Sequence, residues 1–123
     1  MSDRSADPPT VIVVDDDAGV RKALRYSREI EGFEVVSCHS GEALLQLAVP
    51  GGPVCLVLDQ NLPGTSGIEA LETLRGRGVE IPAIMITSAP DAPFRARALL
   101  ANARVVEKPL LTDLLSGAIR DAL

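Results

Sequence analysis

The sequence predicts an α/β fold in which a doubly wound, five-stranded parallel sheet carries helices on both faces. Short runs of apolar or β-branched residues alternate with segments of helical periodicity from residue 10 to the end of the chain. The runs at residues 11–14 and 54–58 are apolar throughout, as central strands of a sheet covered on both faces are. Five such strand–helix units favour the strand order 2-1-3-4-5, which reverses between the first and third strands.

The five strands are predicted from runs of Val, Ile, Leu and Ala that are bounded by turn residues. They cover residues 11–14, 35–36, 54–58, 83–86 and 105–106. A Pro-Gly-Gly-Pro segment separates the second predicted helix from the third strand.

Between the strands, apolar residues recur at intervals of three and four, which predicts amphipathic helices that pack on the sheet. The pattern is clearest at the end of the chain, where Leu111, Leu114, Leu115, Ala118, Ile119 and Ala122 fall on one helix face. The corresponding positions of the other predicted helices are Val20, Ala23, Leu24 and Ser27, then Leu44, Leu47 and Ala48, then Ile68, Leu71 and Leu74, and finally Phe94, Ala98 and Leu99.

Residues 1–9 differ from the rest because they are polar, contain two consecutive prolines and show no periodicity. They are predicted to form a disordered tail, and residues 10–123 to form one domain. A domain of this size buries roughly two thirds of the surface that its unfolded chain exposes, so it needs neither a disulfide nor a structural metal.

Charge and composition exclude several classes of protein. The formal net charge is −5 and no cluster of Lys and Arg is visible, so nucleic acid is not an expected partner. Cys38 and Cys55 lack metal-ligand spacing and no secretory leader follows Met1, so we expect reduced thiols in a cytoplasmic protein. The longest apolar run, residues 54–58, is far shorter than the ~20 residues that cross a bilayer, so no membrane span is expected.

Acidic residues follow two strands that the predicted order makes neighbours. Asp15, Asp16 and Asp17 come directly after the first strand, and Asp59 follows the third. Carboxylates brought together there repel one another by about 4 kcal/mol for each pair at ~4 Å, so a cation must be supplied. Mg²⁺ suits the site because it binds through one or two carboxylates, keeps waters and accepts phosphate oxygens.

The fourth and fifth strands bring a hydroxyl and an ammonium to the same edge. Thr87 and Ser88 end the fourth strand, and Lys108 follows the fifth. These groups suit transfer of a phosphoryl group to a carboxylate, because the cations neutralise the phosphoryl oxygens while Thr87 donates a hydrogen bond. Asp59 is the predicted nucleophile, because it stands alone at its strand end before a flexible turn.

Four motifs at the strand ends resemble those of response-regulator receiver domains of the CheY-like superfamily. They are VVDDD ending at Asp17, LVLDQNLP around Asp59 with Gly67 eight residues further on, ITS around Thr87, and EKP around Lys108. The resemblance covers residues 11 to 123 and implies the flavodoxin-like, or CheY-like, form of the predicted fold. No output domain is expected after Leu123, so the chain resembles a stand-alone receiver that signals by protein–protein contact.

The resemblance implies a role for each acidic residue at this edge. Asp59 takes a phosphoryl group from a phosphohistidine on a sensor histidine kinase or a histidine phosphotransfer protein. Mg²⁺ is held by Asp16, Asp59 and the backbone carbonyl of Asn61, and Asp15 helps through a water molecule.

Thr87, Ser88 and Lys108 are the implied phosphoryl-stabilising and switch residues, and the bond before Pro109 is implied to be cis, which costs little before proline. Such a domain is not an enzyme, since it catalyses only its own phosphorylation and dephosphorylation. It acts on a downstream protein target as a monomer or weak homodimer. The segment 88–93 and the helix after it are the predicted switch, because phosphorylation adds roughly −1.5 to −2 charges nearby.

Three features depart from the family pattern. Val105 stands where the family usually has an aromatic switch residue, three positions before Lys108. The turn at residues 101–104 is one residue shorter than the usual glycine-containing turn. Asn61 and Ala89 occupy the two positions with which the family tunes the lifetime of the aspartyl phosphate.

Three other interpretations are left open. An aspartyl-phosphate hydrolase of the haloacid-dehalogenase type would use Asp15 as acceptor, but it gives Asp59 no role. A receiver-like interaction module without phosphorylation predicts neither Mg²⁺ binding nor labelling by acetyl phosphate. A flavodoxin-like electron carrier is disfavoured, because only Tyr26, Phe33 and Phe94 are aromatic and no hydroxyl-rich phosphate loop follows the first strand.

Overall fold

The computed structural model describes the backbone of residues 9–15, 32–108 and 112–123, and their side chains except those of residues 112–116. Within these ranges the chain forms five strands and four helices. The strands are β1 (Thr10–Val14), β2 (Glu34–Cys38), β3 (Val54–Asp59), β4 (Ala83–Thr87) and β5 (Ala103–Glu107). The helices are α1 (Gly41–Gln46), α2 (Gly67–Gly76), α3 (Ala92–Leu100) and α4 (Thr112–Ala122).

The five strands described pair in parallel in the order β2-β1-β3-β4-β5. This order confirms the predicted arrangement 2-1-3-4-5. Val14 of β1 lies opposite Leu58 of β3 in the register of the central pair. The residues that follow them, Asp15 and Asp59, therefore reach the carboxyl edge of the sheet together.

Helices cover both faces of the sheet, and each face has its own apolar core. Alternate side chains of β3 point to opposite faces, so that Leu58 enters one core and Val57 the other. The first core also contains residues of α1, α2 and α3, among them Leu44, Leu71 and Phe94. The second contains Ile119 of α4. A strand that feeds two cores has no polar face, which explains why all six residues of β3 are buried.

The strands β2 and β5 are longer than predicted because they are the two edge strands of the sheet. Four of the residues outside the predicted bounds are exposed and polar, so the apolar pattern marks only the centre of each strand; they are Glu34, Ser37, Arg104 and Glu107. The central strands β1, β3 and β4 are buried throughout, and there the predicted bounds are wrong by one residue at most.

Two details of the predicted helices are wrong. The spacing of Leu44, Leu47 and Ala48 predicts a helix that reaches Ala48, but α1 ends at Gln46 and Leu47 is extended, with φ −76° and ψ 134°. Leu99 is predicted to face the core, but its side chain is 79% exposed. The buried stripe of α3 runs instead through Phe94 and Ala98, four residues apart.

Several predictions fall on residues that the structure does not describe. They concern the tail at residues 1–8, the first predicted helix, Asp16, Asp17, Pro109 and Leu111, and the side chains of Leu114 and Leu115. The predicted contacts of α4 are confirmed for Ala118 and Ile119, which are buried.

A partly buried arginine closes the amino edge of the sheet, opposite the acidic residues. The Arg75 guanidinium donates from Nε to the carbonyl of Ala101 at 2.7 Å and from Nη1 to those of Val79 and Ile81 at 3.0 and 2.8 Å. Burial lowers the pKa of Arg75 from its ordinary value. Arg75 thus joins the ends of α2 and α3 to the segment that leads into β4.

The short turn between α3 and β5 depends on Asn102. Its φ of 57° lies in the left-handed region, which asparagine tolerates better than most residues other than glycine. Asparagine thus provides the turn in which the family pattern has a glycine.

The two cysteines are buried and unbridged. Burial raises the pKa of Cys55 to about 12 and also raises that of Cys38. Since the thiolate is the reactive form, these environments suit structural thiols. Among the helices described, none has the length and apolar character that a bilayer span requires.

Candidate functional site

The carboxyl edge of the sheet holds two buried acidic side chains. Asp15 follows β1 and is 1% exposed, while Asp59 ends β3 and is 2% exposed. The backbone amide of Asp15 donates to the carbonyl of Cys38 at 3.1 Å, which extends the pairing of β1 and β2 to this residue. Burial of a carboxylate is costly without a compensating charge or hydrogen bonds, so this edge favours a cation.

Lys108 supplies one positive charge. Its Nζ lies 3.2 Å from Oδ2 of Asp59, although the two residues are 49 positions apart. The backbone amide of Lys108 donates to the carbonyl of Thr87 at 2.8 Å, which holds the residue after β5 against the end of β4. The strand order therefore places the ammonium beside the carboxylate, as the sequence predicts.

The second carboxylate oxygen of Asp59 is oriented by the loop that follows it. The backbone amide of Asn61 donates to Oδ1 at 3.1 Å. The lysine ammonium thus contacts Oδ2 of Asp59, and the backbone amide contacts Oδ1. Together the two contacts hold the carboxylate of Asp59 in one orientation.

Thr87 lies beside Asp59 because β3 and β4 are neighbours with Asp59 opposite Ile86. Thr87 is 5% exposed, and its Oγ1 accepts a hydrogen bond from the amide of Ala89 at 3.4 Å. Ser88 is exposed at the same edge. Val105 is half-buried and pairs with Met85, two residues before the end of β5.

The loop at residues 60–66 is held close to Asp59 by polar contacts that the sequence does not reveal. The side-chain carbonyl of Gln60 accepts from the amide of Ile68 at 2.7 Å, and its backbone carbonyl accepts from Gly67 at 3.2 Å. A Cβ built on Gly67 would lie 2.3 Å from the backbone oxygen of Asp59, so only glycine fits there. Gly67 thus allows the start of α2 to approach the end of β3.

Glu42, at the start of α1, contacts the far side of this loop. Its Oε2 accepts from the amide of Thr65 at 3.1 Å and from the Thr65 hydroxyl at 2.9 Å. Hydrogen bonds from its own backbone amide and from Thr65 lower the pKa of the Glu42 carboxyl. The sequence did not identify this residue, since an exposed glutamate in a first helical turn has the same pattern whether or not it contacts a distant loop.

Two buried carboxylates at one sheet edge fit the oxygen donors that Mg²⁺ prefers. Asp15 and Asp59 are the described members of the predicted ligand set, and Asn61 adds a backbone carbonyl from the loop. The part of the chain that the structure describes contains no group of three acidic or metal-binding side chains. Asp16, the third predicted acidic ligand, lies outside that part, as does Pro109 with its predicted cis bond.

Comparison with known proteins gives the same class as the fold and the site. Residues 11–120 match the family described as response regulator receiver domain. Over 114 residues the chain is 36% identical to the transcriptional regulatory protein FixJ of Azorhizobium caulinodans, and the match covers 92% of this chain and 54% of FixJ. The chain spans about half the length of the curated relatives it matches.

Solved structures of response regulators are similar to this chain in fold. The response regulator StyR matches with a TM-score of 0.85 and 40% identity, covering 95% of this chain and 60% of StyR. The chemotaxis protein CheY4 of Vibrio cholerae matches with a TM-score of 0.83 and 21% identity, covering 95% of this chain and all of CheY4, which shows the fold alone.

A doubly wound sheet with buried acidic residues at its carboxyl edge is typical of receivers of two-component signalling, and the family match assigns the chain to that class. The chain belongs to the response regulator receiver domain family. Receiver domains of response regulators are signalling domains that interact with histidine kinases and downstream targets, and they are generally Mg²⁺-dependent.

Proposed function

We propose that Asp59 is the phosphoacceptor of this receiver and takes its phosphoryl group from a phosphohistidine. The observation that carries the proposal is the environment of Asp59, a buried carboxylate with one oxygen on the Lys108 ammonium and the other on the Asn61 amide. In the transfer, a carboxylate oxygen of Asp59 forms a bond to phosphorus and the P–N bond to the donor imidazole breaks. The imidazole nitrogen keeps the electron pair and takes a proton.

Other residues at the edge support the transferring group. Lys108 and Thr87 are the proposed partners of the phosphoryl oxygens, with exposed Ser88 beside them. Asp15, Asp16, Asp59 and the Asn61 carbonyl are the proposed holders of Mg²⁺. When bound, Mg²⁺ neutralises charge on the phosphoryl oxygens as the bond forms.

The proposed partners are a sensor histidine kinase or histidine phosphotransfer protein and a downstream protein target. We place the chain in the cytoplasm as a monomer or weak homodimer that catalyses only its own phosphorylation and dephosphorylation. Residues 10–123 are the proposed receiver domain. The signal leaves by protein–protein contact.

The proposed switch is the segment from Ser88 to Pro93 together with α3. The start of α3 is capped by Asp91, whose Oδ1 accepts from the amide of Phe94 at 2.9 Å, while Arg75 holds the end of the helix. New negative charge beside Thr87 and Lys108 therefore acts on the end of α3 that Arg75 does not hold. A phosphate mimic bound at Asp59 is expected to change amide exchange in residues 88–104, and equal exchange with and without it would contradict this switch.

The test of the phosphoacceptor is the intact mass of the protein after incubation with Mg²⁺ and acetyl phosphate. The wild type is expected to gain the mass of one phosphoryl group, and Asp59→Asn is expected to gain none. Glu107→Gln is the matched control, because Glu107 is an exposed acid beside Lys108 at the same edge and the variant should label normally. Labelling of Asp59→Asn, or labelling that depends on Asp15 alone, would contradict the proposal and favour the hydrolase.

A further inference from the structure

The contact between Glu42 and Thr65 joins two elements that are far apart in the chain. The residues are 23 positions apart, and one carboxylate oxygen accepts both the backbone and the side-chain donor of Thr65. Gly64 has φ 74°, and a Cβ there would lie 2.8 Å from Oε2 of Glu42. A Cβ on Gly41 would lie 3.1 Å from the carbonyl oxygen of Thr65, so this glycine allows the helix and the loop to approach closely.

The loop that Glu42 holds is the loop that orients Asp59. Its first part is fixed near the sheet, because Gln60 binds the start of α2 and Leu62 is buried in the core. Asn61 lies between those two residues and donates to Oδ1 of Asp59. Glu42 fixes the outer part of the same loop, four positions after Asn61.

We infer that Glu42 is a positioning residue for Asp59, which acts by holding Thr65 and thereby the backbone at Asn61. The Asn61 amide orients the carboxylate, and its carbonyl is a proposed Mg²⁺ ligand, so a displaced loop changes both. This inference rests on the proposed function. Glu42 touches neither Asp59 nor the phosphoryl group, and its effect passes through the loop.

A second contact of α1, with the residue that follows α2, provides the control. Arg77 donates from Nη1 to the carbonyl of Leu45 at 2.7 Å, at the opposite end of α1. Like Glu42, Arg77 is exposed and holds α1 against another part of the chain, but its described hydrogen bond does not reach the loop after Asp59. Loss of Arg77 should therefore affect stability without affecting the site.

The experiment compares Glu42→Ala, Glu42→Gln and Arg77→Ala with the wild type. Mg²⁺ affinity is measured from the rise of Tm with Mg²⁺ concentration, and amide exchange is followed at Asn61. Glu42→Ala is expected to weaken Mg²⁺ binding about fivefold, somewhat less than loss of a direct partner of a metal ligand costs, and to speed exchange at Asn61. Glu42→Gln keeps an acceptor oxygen and should recover most of the affinity, whereas Arg77→Ala should change only Tm.

Unchanged Mg²⁺ affinity and unchanged exchange in Glu42→Ala would overturn the inference, as would an equal loss of affinity in Arg77→Ala. If Glu42→Ala fails to fold, Mg²⁺ affinity is measured in Thr65→Val instead, because this variant loses the hydroxyl donor and keeps the amide. A Mg²⁺ affinity of Thr65→Val equal to that of the wild type would then overturn the inference. Failure of the wild type to label at Asp59 tests the proposed function separately, since neither the Mg²⁺ titration nor the exchange measurement requires phosphorylation.

Discussion

The two edges of the sheet each contain a partly buried cation, and the two cations are used differently. At the amino edge, Arg75 donates to backbone carbonyls of Ala101, Val79 and Ile81, groups that cannot change their charge. At the carboxyl edge, Lys108 contacts the side chain of Asp59. An ammonium has three donors and a flexible stem, so it can turn toward a new anion, whereas a guanidinium bound along its planar fork cannot.

This difference indicates that one edge maintains the fold and the other performs the chemistry. The amino edge should respond to substitution through the free energy of unfolding, with Mg²⁺ affinity and labelling unchanged. The cation of the carboxyl edge, Lys108, should respond through Mg²⁺ affinity and labelling, with a smaller change in unfolding. Substitution of Arg75 and of Lys108 tests this division, while a backbone contact at Gly67 and a surface ion pair at Glu72 give the largest and smallest expected effects on unfolding.

Gly67→Ala should have the largest effect on unfolding. The new Cβ would meet the backbone of Asp59 and Gln60, so the loop must move, at a cost of about 3 kcal/mol. Urea unfolding measures the loss, and labelling of Asp59 should fall with it. Gly76→Ala is the matched control, since no atom lies within 4 Å of its built Cβ and the change should be neutral or slightly stabilising.

Arg75→Met should cost about 2 kcal/mol, because the apolar stem is kept while carbonyls at the end of α3 and before β4 lose their donors. Urea unfolding again gives the free energy, and Mg²⁺ titration gives the affinity. A large loss of Mg²⁺ affinity in this variant would break the division between the two edges.

Lys108→Met should cost about 1 kcal/mol in unfolding, because the Lys108 side chain is 28% exposed and water partly replaces its charge beside Asp59. Added Mg²⁺ should reduce this deficit by supplying charge at the same place. The rate of labelling by acetyl phosphate should fall roughly a hundredfold, because a donor to the transferring group is lost. Arg95→Met removes an exposed cation that pairs with Glu107 near this edge and should label normally.

Glu72→Gln should have the smallest effect, about 0.5 kcal/mol or less, because the ion pair of Glu72 with Arg97 is solvent-exposed. The hydrogen bond from Arg97 lowers the pKa of Glu72 in the folded protein. The contribution is therefore present at pH above the ordinary glutamate value and is lost as the pH falls through the lowered value. The difference in unfolding free energy between the wild type and the variant should shrink from pH 7 to pH 3, and at pH 7 it should shrink in high salt.

The sequence predicts the sheet and its acidic edge because both follow from residue types and their positions along the chain. Runs of β-branched residues locate the strands, and a parallel sheet brings Asp15, Asp59 and Lys108 to one edge once the strand order is known. The contact of Lys108 with Asp59 is thus predictable across 49 positions. The polar contacts that fix the loop cannot be predicted in this way, since Gln and Glu, as at Gln60 and Glu42, occur at any solvent-exposed position.

The errors in the helices have a similar origin. Phe94, Ala98 and Leu99 fit a helical stripe by spacing, but a stripe drawn through Phe94, Ala98 and Ala101 fits as well. Only packing selects the second, which leaves Leu99 exposed. Spacing locates a helix better than it determines which of two adjacent residues faces the core.

The alternation of side chains along β3 also ties the position of Asp59 to the correct register of the strand. A shift of β3 by one residue would move Leu56 and Leu58 out of the first core and the smaller Cys55 and Val57 out of the second. Both cores would then pack badly. The same shift would carry Asp59 away from the end of β4. Molecules in which the proposed acceptor Asp59 is displaced from β4 are therefore also poorly packed ones, so the packing of β3 selects for the position of Asp59.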